Sequence, residues 1–225
     1  MTTFAIATLG CKVNTYESQG YESALLDKGY EEVSFKDKAD IYIINTCAVT
    51  NTAGAKSRQK IHQAHAANPN AIIAVVGCYV QTSKDAMEAM EHVDIIVGSD
   101  GKSQLADMIE HALIHRDKQI MLHDVRQVKA FEALPIHKFE HQTRAFLKIQ
   151  DGCNQFCSYC IIPYARGAER SLKEEEALRV ATDLVKNGHL EIVLSGIHTG
   201  RYGRDIHTNL LHLMKRMVNE IDGLN

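Results

Sequence analysis

Three times in the first eighty residues, a short β-rich apolar run stops just before a cysteine. The runs are 4–9, 41–44 and 72–76, and the cysteines are Cys11, Cys47 and Cys78. Helical patterns fill the gaps at 15–28, 52–67, 84–91 and 103–114, with a fourth strand at 94–97. Asn14 and Glu17 have the spacing of a capping box, Gly29 suits the C′ position of the first helix, and Pro69 stops the second. Such alternation specifies a parallel sheet of the doubly wound type. In such a sheet, ligands bind in the crevice beyond the carboxyl ends of the strands. A lone cysteine is most often a small buried hydrophobe. Three in the same topological slot point instead to three ligands meeting at one place.

The pattern loosens over 115–142, a stretch of mixed charge with Pro135 that reads as a linker with room for one short strand. A second α/β unit follows. It has a strand at 145–149, a long loop at 153–167, a helix from a Ser171/Glu174 capping box to 187, a strand at 191–194 and a helix at 210–218. The expected division is an α/β domain at 1–114, the linker at 115–142, and a second unit at 143–225. Two βα units cannot close a barrel, so the second unit reads as incomplete and the chain as cut short.

The loop of the second unit carries Cys153-x₃-Cys157-x₂-Cys160 directly after a predicted strand. Three thiolates this close cannot all pair as disulfides, and a chain of this size does not need such staples. The loop is long enough to wrap one iron–sulfur cubane. Clusters usually take four thiolates, so three leave one iron open to a small chelating molecule. The dispersed set Cys11, Cys47 and Cys78 implies a second open iron by the same count. A structural zinc site is the alternative, but it usually uses Cys-x₂-Cys pairs and a fourth nearby ligand.

Gly10, Gly77 and Gly152 each precede a cysteine, where a backbone can approach a cluster closely. Asn45, Thr46, Thr50 and Asn51 can donate to a ligand or simply open a helix. Tyr159 can stack on an adenine ring or merely pack. The turn 195–200, beginning Ser195-Gly196, can hold the polar end of a cofactor on its backbone. Lys56, Arg58 and Lys60, with Arg166 and Arg170, can meet phosphate; for the first three, an ordinary solvated helix face is the commoner explanation. His62 and His65 read as surface residues. A formal net charge of −3 announces no nucleic-acid binder, so RNA would have to be held by local patches. The longest apolar run, 71–80, is too short to span a bilayer, and the N-terminus lacks the features of a signal peptide. A soluble cytoplasmic protein without membrane contact is expected.

Cys153-x₃-Cys157-x₂-Cys160 with Tyr159 resembles the radical S-adenosylmethionine (SAM) signature. Gly10-Cys11-Lys12-Val13-Asn14, Ile44-Asn45-Thr46-Cys47-Ala48-Val49-Thr50 and Gly77-Cys78-Tyr79 are similar to motifs of the radical SAM methylthiotransferases. Asp151-Gly152-Cys153 and Pro163-Tyr164-Ala165-Arg166-Gly167 extend the likeness, which covers essentially the whole chain. The run from Gly10 to Ser18 and the turn 195–200 resemble the subgroup that acts on threonylcarbamoyladenosine in tRNA. Sister subgroups modify isopentenyladenosine in tRNA or an aspartate of a ribosomal protein.

The resemblance implies two [4Fe–4S] clusters. Cys153, Cys157 and Cys160 would hold the one that binds SAM, and Cys11, Cys47 and Cys78 an auxiliary one bearing the sulfur to be inserted. It also implies a tRNA substrate, methylthiolated at C2 of the modified adenosine next to the anticodon, and an electron donor such as flavodoxin or ferredoxin. No catalytic residue beyond the cluster ligands is assigned, and no oligomeric state. The implied fold is a doubly wound methylthiotransferase domain followed by the start of a partial (βα) barrel. The alternatives from other classes are a cluster-bearing electron carrier or redox sensor, and a zinc-stabilised binding module. Open coordination at both sites favours the enzyme, since carriers usually have four cysteine ligands.

Overall fold

A computed structural model describes all of the chain except residues 50, 137–138, 140–142 and 225 and the side chain of residue 51. The expectations placed on Thr50 and on the Asn51 side chain therefore lie outside the described residues. Strands β1 (Thr3–Thr8), β2 (Glu31–Glu32), β3 (Ile41–Thr46), β4 (Ile72–Gly77), β5 (Ile95–Val97) and β6 (Gln119–Met121) form one parallel sheet, in the order β2-β1-β3-β4-β5-β6. β3 and β4 run in register from Ile41 beside Ile72 to Thr46 beside Gly77, and every residue of both is buried.

Burial on both faces explains why these strands read as unbroken apolar runs rather than as alternating ones. Ile41, Ile43, Ile72, Ala74 and Val76 face helices α1 (Lys12–Asp27) and α5 (Leu105–His115). Tyr42, Ile44, Ile73 and Val75 face the opposite way, against Ile61 and Ala64 of α2 (Asn51–Ala67). Each such aliphatic side chain contributes about 1.5–3 kcal/mol by leaving water. The sheet is doubly wound, as expected.

In the second unit, β7 (Ala145–Asp151) pairs in parallel with β9 (Ile192–Gly196) and antiparallel with the short β8 (Arg170–Ser171). Helices α7 (Glu174–Lys186) and α8 (Leu210–Glu220) complete it. α1 touches β1 and β3 of the first sheet as well as β7 and β9 of the second. One continuous core joins the two, with Phe4, Tyr16 and Ile43 in the same cluster as Leu147, Ile149 and Leu184.

Several local expectations change. α1 begins at Lys12, so Asn14 and Glu17 lie inside it and do not form a capping box; no side chain caps its N-terminus. Enclosure between two sheets buries their polar groups, whose partners come from distant elements. Ser171 and Glu174 do not cap α7 either. Ser171 Oγ accepts from Gly203 N–H, and the Glu174 carboxylate accepts from Thr208 and His212. The helix expected at 84–91 is the shorter α4 (Lys84–Glu88), and a further short helix not expected from the sequence, α3 (Cys78–Thr82), precedes it, the two separated where Ser83 leaves helical backbone geometry. The stretch 115–142 supplies β6, and it returns Val125, Leu134, Ile136 and Phe139 to the interior. The loop expected over 153–167 contains the short helix α6 (Ile162–Arg166). Among the described residues, no helix is long and apolar enough to cross a membrane.

Candidate functional site

Parallel pairing carries the ends of β1, β3 and β4 to one edge of the sheet. Cys11 follows the end of β1 by three residues, and Cys47 and Cys78 directly follow β3 and β4. From β1 the chain goes to β2 on one side and then to β3 on the other. The gap between β1 and β3 is thus the topological switch point, where open α/β sheets bind ligands. Cys11 and Cys47 flank it. With Gly10, Leu9, Val49 and Lys56 they line a cleft of about 420 Å³. Gly10 has φ +107°, and a Cβ there would stand 2.8 Å from Cys47 Cβ and 3.0 Å from its Sγ. Only glycine lets the two backbones close in this way.

Asn14 and Arg166 connect the three cysteines. Asn14 Oδ1 accepts from Cys11 Sγ at 3.4 Å and from Arg166 Nη2 at 3.5 Å. Its Nδ2 donates to Thr46 O, the residue before Cys47, at 2.9 Å. Arg166 Nε donates to Cys78 Sγ at 3.1 Å. Burial pushes the Cys78 thiol up, while Arg166 and Lys102 oppose that rise by favouring the thiolate.

Arg166 belongs to a buried charge network that sequence reasoning did not reveal. Its Nη1 reaches Glu17 Oε1 at 2.9 Å and Asp151 Oδ1 at 3.1 Å. Lys102 Nζ meets Glu17 at 2.6 Å, Lys148 Nζ meets Asp151 at 3.1 Å, and Arg170 lies 3.8 Å from Asp151. Burial would raise both carboxyls, but Arg166 and the lysines hold Glu17 at about 2 and Asp151 well below the carboxylate range. Among the described ion pairs of this network, four cations share two carboxylates, and one of those cations, Arg166, lies beside the Cys78 sulfur. The one local signal is in β7, where Lys148, Gln150 and Asp151 interrupt the apolar run.

The second cysteine set rises from the end of β7. The Cys153 N–H donates to Gly167 O, closing the loop at its base, and the Cys160 N–H donates to Cys157 O in a tight turn within it. Cys157 is exposed, and Cys153 and Cys160 are half-buried. Gly152 has φ +71°, and a Cβ there would come within 1.9 Å of Ala168 O. Gln150, missed in the sequence, ties this loop to the turn after β9. Its Nε2 donates to Gly152 O at 2.8 Å, and its Oε1 accepts from His198 N–H at 2.7 Å. Ser195 and Gly196 are therefore beside the cysteine loop. Ser195 Oγ donates to Leu147 O at 3.4 Å, so the backbone of the turn is what it can offer a ligand.

Tyr159 is 90% exposed and reaches out from the loop, packed against nothing, which leaves its ring face available. Arg166 and Arg170 correct the reading that placed them on phosphate: Arg166 is 0% and Arg170 4% exposed, both committed to internal acceptors. Arg58 donates to Tyr79 and Lys60 to Gln63, whereas Lys56 lies at the open cleft.

All six cysteines are free thiols. They are soft donors of the kind iron–sulfur clusters take, and the positive charge around Cys78 complements a thiolate-rich cluster. Among the described residues, no three cysteine, histidine or acidic side chains stand close enough to hold a single metal ion. Sulfurs arranged round a cubane stand farther apart than those round one ion. The residues present fit two three-cysteine clusters.

Residues 3–98 match the uncharacterized protein family UPF0004, and residues 147–223 match the radical SAM superfamily. The doubly wound N-terminal domain thus carries the first match, and the unit from β7 to α8 carries the second, to the radical SAM superfamily. Threonylcarbamoyladenosine tRNA methylthiotransferase MtaB of Bacillus subtilis is 43% identical over 225 residues, covering 100% of this chain and 50% of that protein. The Aquifex aeolicus protein of the same name is 38% identical over 220 residues, covering 98% and 53%. A tRNA-2-methylthio-N(6)-dimethylallyladenosine synthase of Clostridium novyi is 36% identical over 228 residues, covering 98% and 50%. The chain is similar over nearly its whole length to these tRNA-modifying methylthiotransferases, and it spans about half the length of the curated relatives it matches. A solved structure of the radical S-adenosylmethionine methyltransferase TsrM from Kitasatospora setae, with cobalamin and a [4Fe-4S] cluster bound, superposes with a TM-score of 0.59. It is 13% identical, with 98% of this chain and 52% of that one covered, a likeness of fold alone.

Proposed function

We propose that this chain carries the two cluster sites of a cytoplasmic tRNA methylthiotransferase, which places a methylthio group at C2 of N6-threonylcarbamoyladenosine next to the anticodon. The observation that carries the reading is the convergence of Cys11, Cys47 and Cys78 at one sheet edge, joined through Asn14 and Arg166 to the loop of Cys153, Cys157 and Cys160. Bound clusters and SAM would supply the radical chemistry that an unactivated aromatic C–H requires. The protein's own residues bind and orient. Cys153, Cys157 and Cys160 hold one cluster with an iron left open to SAM. The backbone at Ser195 and Gly196 faces the polar end of SAM, and Tyr159 offers a ring for its adenine. Cys11, Cys47 and Cys78 would hold the auxiliary cluster, which would carry the sulfur to be inserted. The electron donor is a small carrier such as flavodoxin or ferredoxin.

The test is reductive cleavage of SAM by the anaerobically reconstituted protein, followed by nucleoside mass spectrometry of tRNA from cells lacking the modification and supplied with the gene. SAM cleavage is expected to vanish in Cys157→Ala and to persist in Cys47→Ala. The methylthio group is expected on threonylcarbamoyl-bearing adenosine. Methylthiolation of isopentenyladenosine instead would reassign the chain to the sister subgroup. A reducible cluster that never cleaves SAM would make it an electron carrier.

A further inference from the structure

We infer that Arg166 is a positioning residue that couples the two cysteine sets and raises the reduction potential of the cluster held by Cys78. The inference rests on the reading of Cys11, Cys47 and Cys78 as cluster ligands. Arg166 ends α6, on the loop that begins at Cys153, yet its Nε–H points at Cys78 Sγ, 3.1 Å away. The other side of its guanidinium is fixed by Glu17 on α1 and Asp151 on β7. Asp151 Oδ1 also accepts from Gly152 N–H at 2.8 Å, immediately before Cys153. One planar group therefore holds the base of the SAM-side loop and a sulfur of the auxiliary site in a fixed relation. Lysine could not reproduce this, because its ammonium is a point charge without the rigid fork.

The direction of the effect follows from charge. One-electron reduction adds a negative charge to a cluster and its thiolates. An N–H···S bond and a nearby cation both stabilise that charge, and hydrogen bonds to sulfur together with net charge are what set cluster potentials. Arg166 supplies both while fully buried, in a network with more cations than carboxylates. An outer partner of this kind tunes a centre without ligating it.

The test uses the Cys153/Cys157/Cys160→Ala protein, reconstituted so that only the auxiliary cluster is present, and titrated with dithionite under EPR. Arg166→Lys in that background is expected to shift the midpoint potential downward at unchanged iron content, and Arg166→Gln to shift it further. Pulsed EPR on ¹⁵N-arginine-labelled protein reads the contact without an Arg166 substitution: the reduced cluster is expected to show a nitrogen coupling that Arg166→Lys removes. A reduced cluster with no such coupling, or a potential unmoved in both variants, overturns the inference and leaves the ligand assignment standing. A background protein that binds no iron overturns that assignment too, so the two failures are distinct.

Discussion

Asn14 Nδ2 donates to the carbonyl oxygen of Thr46 at 2.9 Å, tying the helix that starts after Cys11 to the strand end that precedes Cys47. The same side chain donates to Asn45 Oδ1 at 3.0 Å and accepts from Cys11 and Arg166. A single buried amide thus adds to the Asn45–Ser18 hydrogen bond and the shared apolar core in fixing the relative placement of α1 and β3.

Asn14→Ala would take the Asn14 Nδ2 donor from Thr46 O and from Asn45 Oδ1, both buried. Leaving buried polar groups unpaired costs about 1–3 kcal/mol. Urea denaturation of the metal-free protein is expected to show a loss in that range, with the slope unchanged. A loss below about 0.5 kcal/mol would mean that the amide adds nothing to the scaffold.

Gly10→Ala tests the close approach at the switch point. At φ +107° a Cβ is strained, and it would press on Cys47 Cβ at 2.8 Å. A cost of about 1–3 kcal/mol is expected from the backbone alone. Reconstituted Gly10→Ala is expected to lose iron from the auxiliary site while retaining SAM cleavage at the loop cluster. Full iron content at both sites would show that the cleft tolerates a side chain there.

Acid should weaken the join between the two sheets. Cationic neighbours hold Glu17 at about 2, against 4.5 for the free group, and Asp151 is held well below its usual range. A carboxyl whose folded pKa is depressed contributes its full stabilisation above the unfolded pKa and loses it as pH falls through the folded value. Stability is therefore expected to decline from about pH 4.5 towards pH 2, with Glu17 alone worth on the order of 3 kcal/mol. Glu17→Gln, destabilised by about 3–5 kcal/mol at neutral pH because it leaves buried cations unpaired, should decline less steeply over the same window. Equal slopes in urea series of the two proteins would contradict this assignment.

The apolar runs of β3 and β4 and the positions of the cysteines after their strands were legible because both are local. A buried strand must be apolar on both faces, and the residue after it must lie at the sheet edge. The charge network was not legible. Glu17 and Arg166 lie far apart in sequence, and each taken locally looked like a surface or capping residue. Asn14 and Glu17 have the spacing of a capping box, and only the packing of α1 against β7 and β9 puts them in the interior. The extra helix α3 also depends on tertiary placement, since it packs against α6 of the second unit. Tyr159, Ser195 and Gly196 were picked out by motif, and their positions around the cysteine loop depend on Gln150 reaching across to His198.

The most direct measurement of the two-cluster claim is iron and labile sulfide per chain after anaerobic reconstitution, in the wild type and in Cys153/Cys157/Cys160→Ala. Two independent [4Fe–4S] sites predict about eight irons and eight sulfides, falling to about four of each in the variant. A wild-type protein holding about one zinc and no sulfide would contradict both cluster assignments and the radical chemistry built on them.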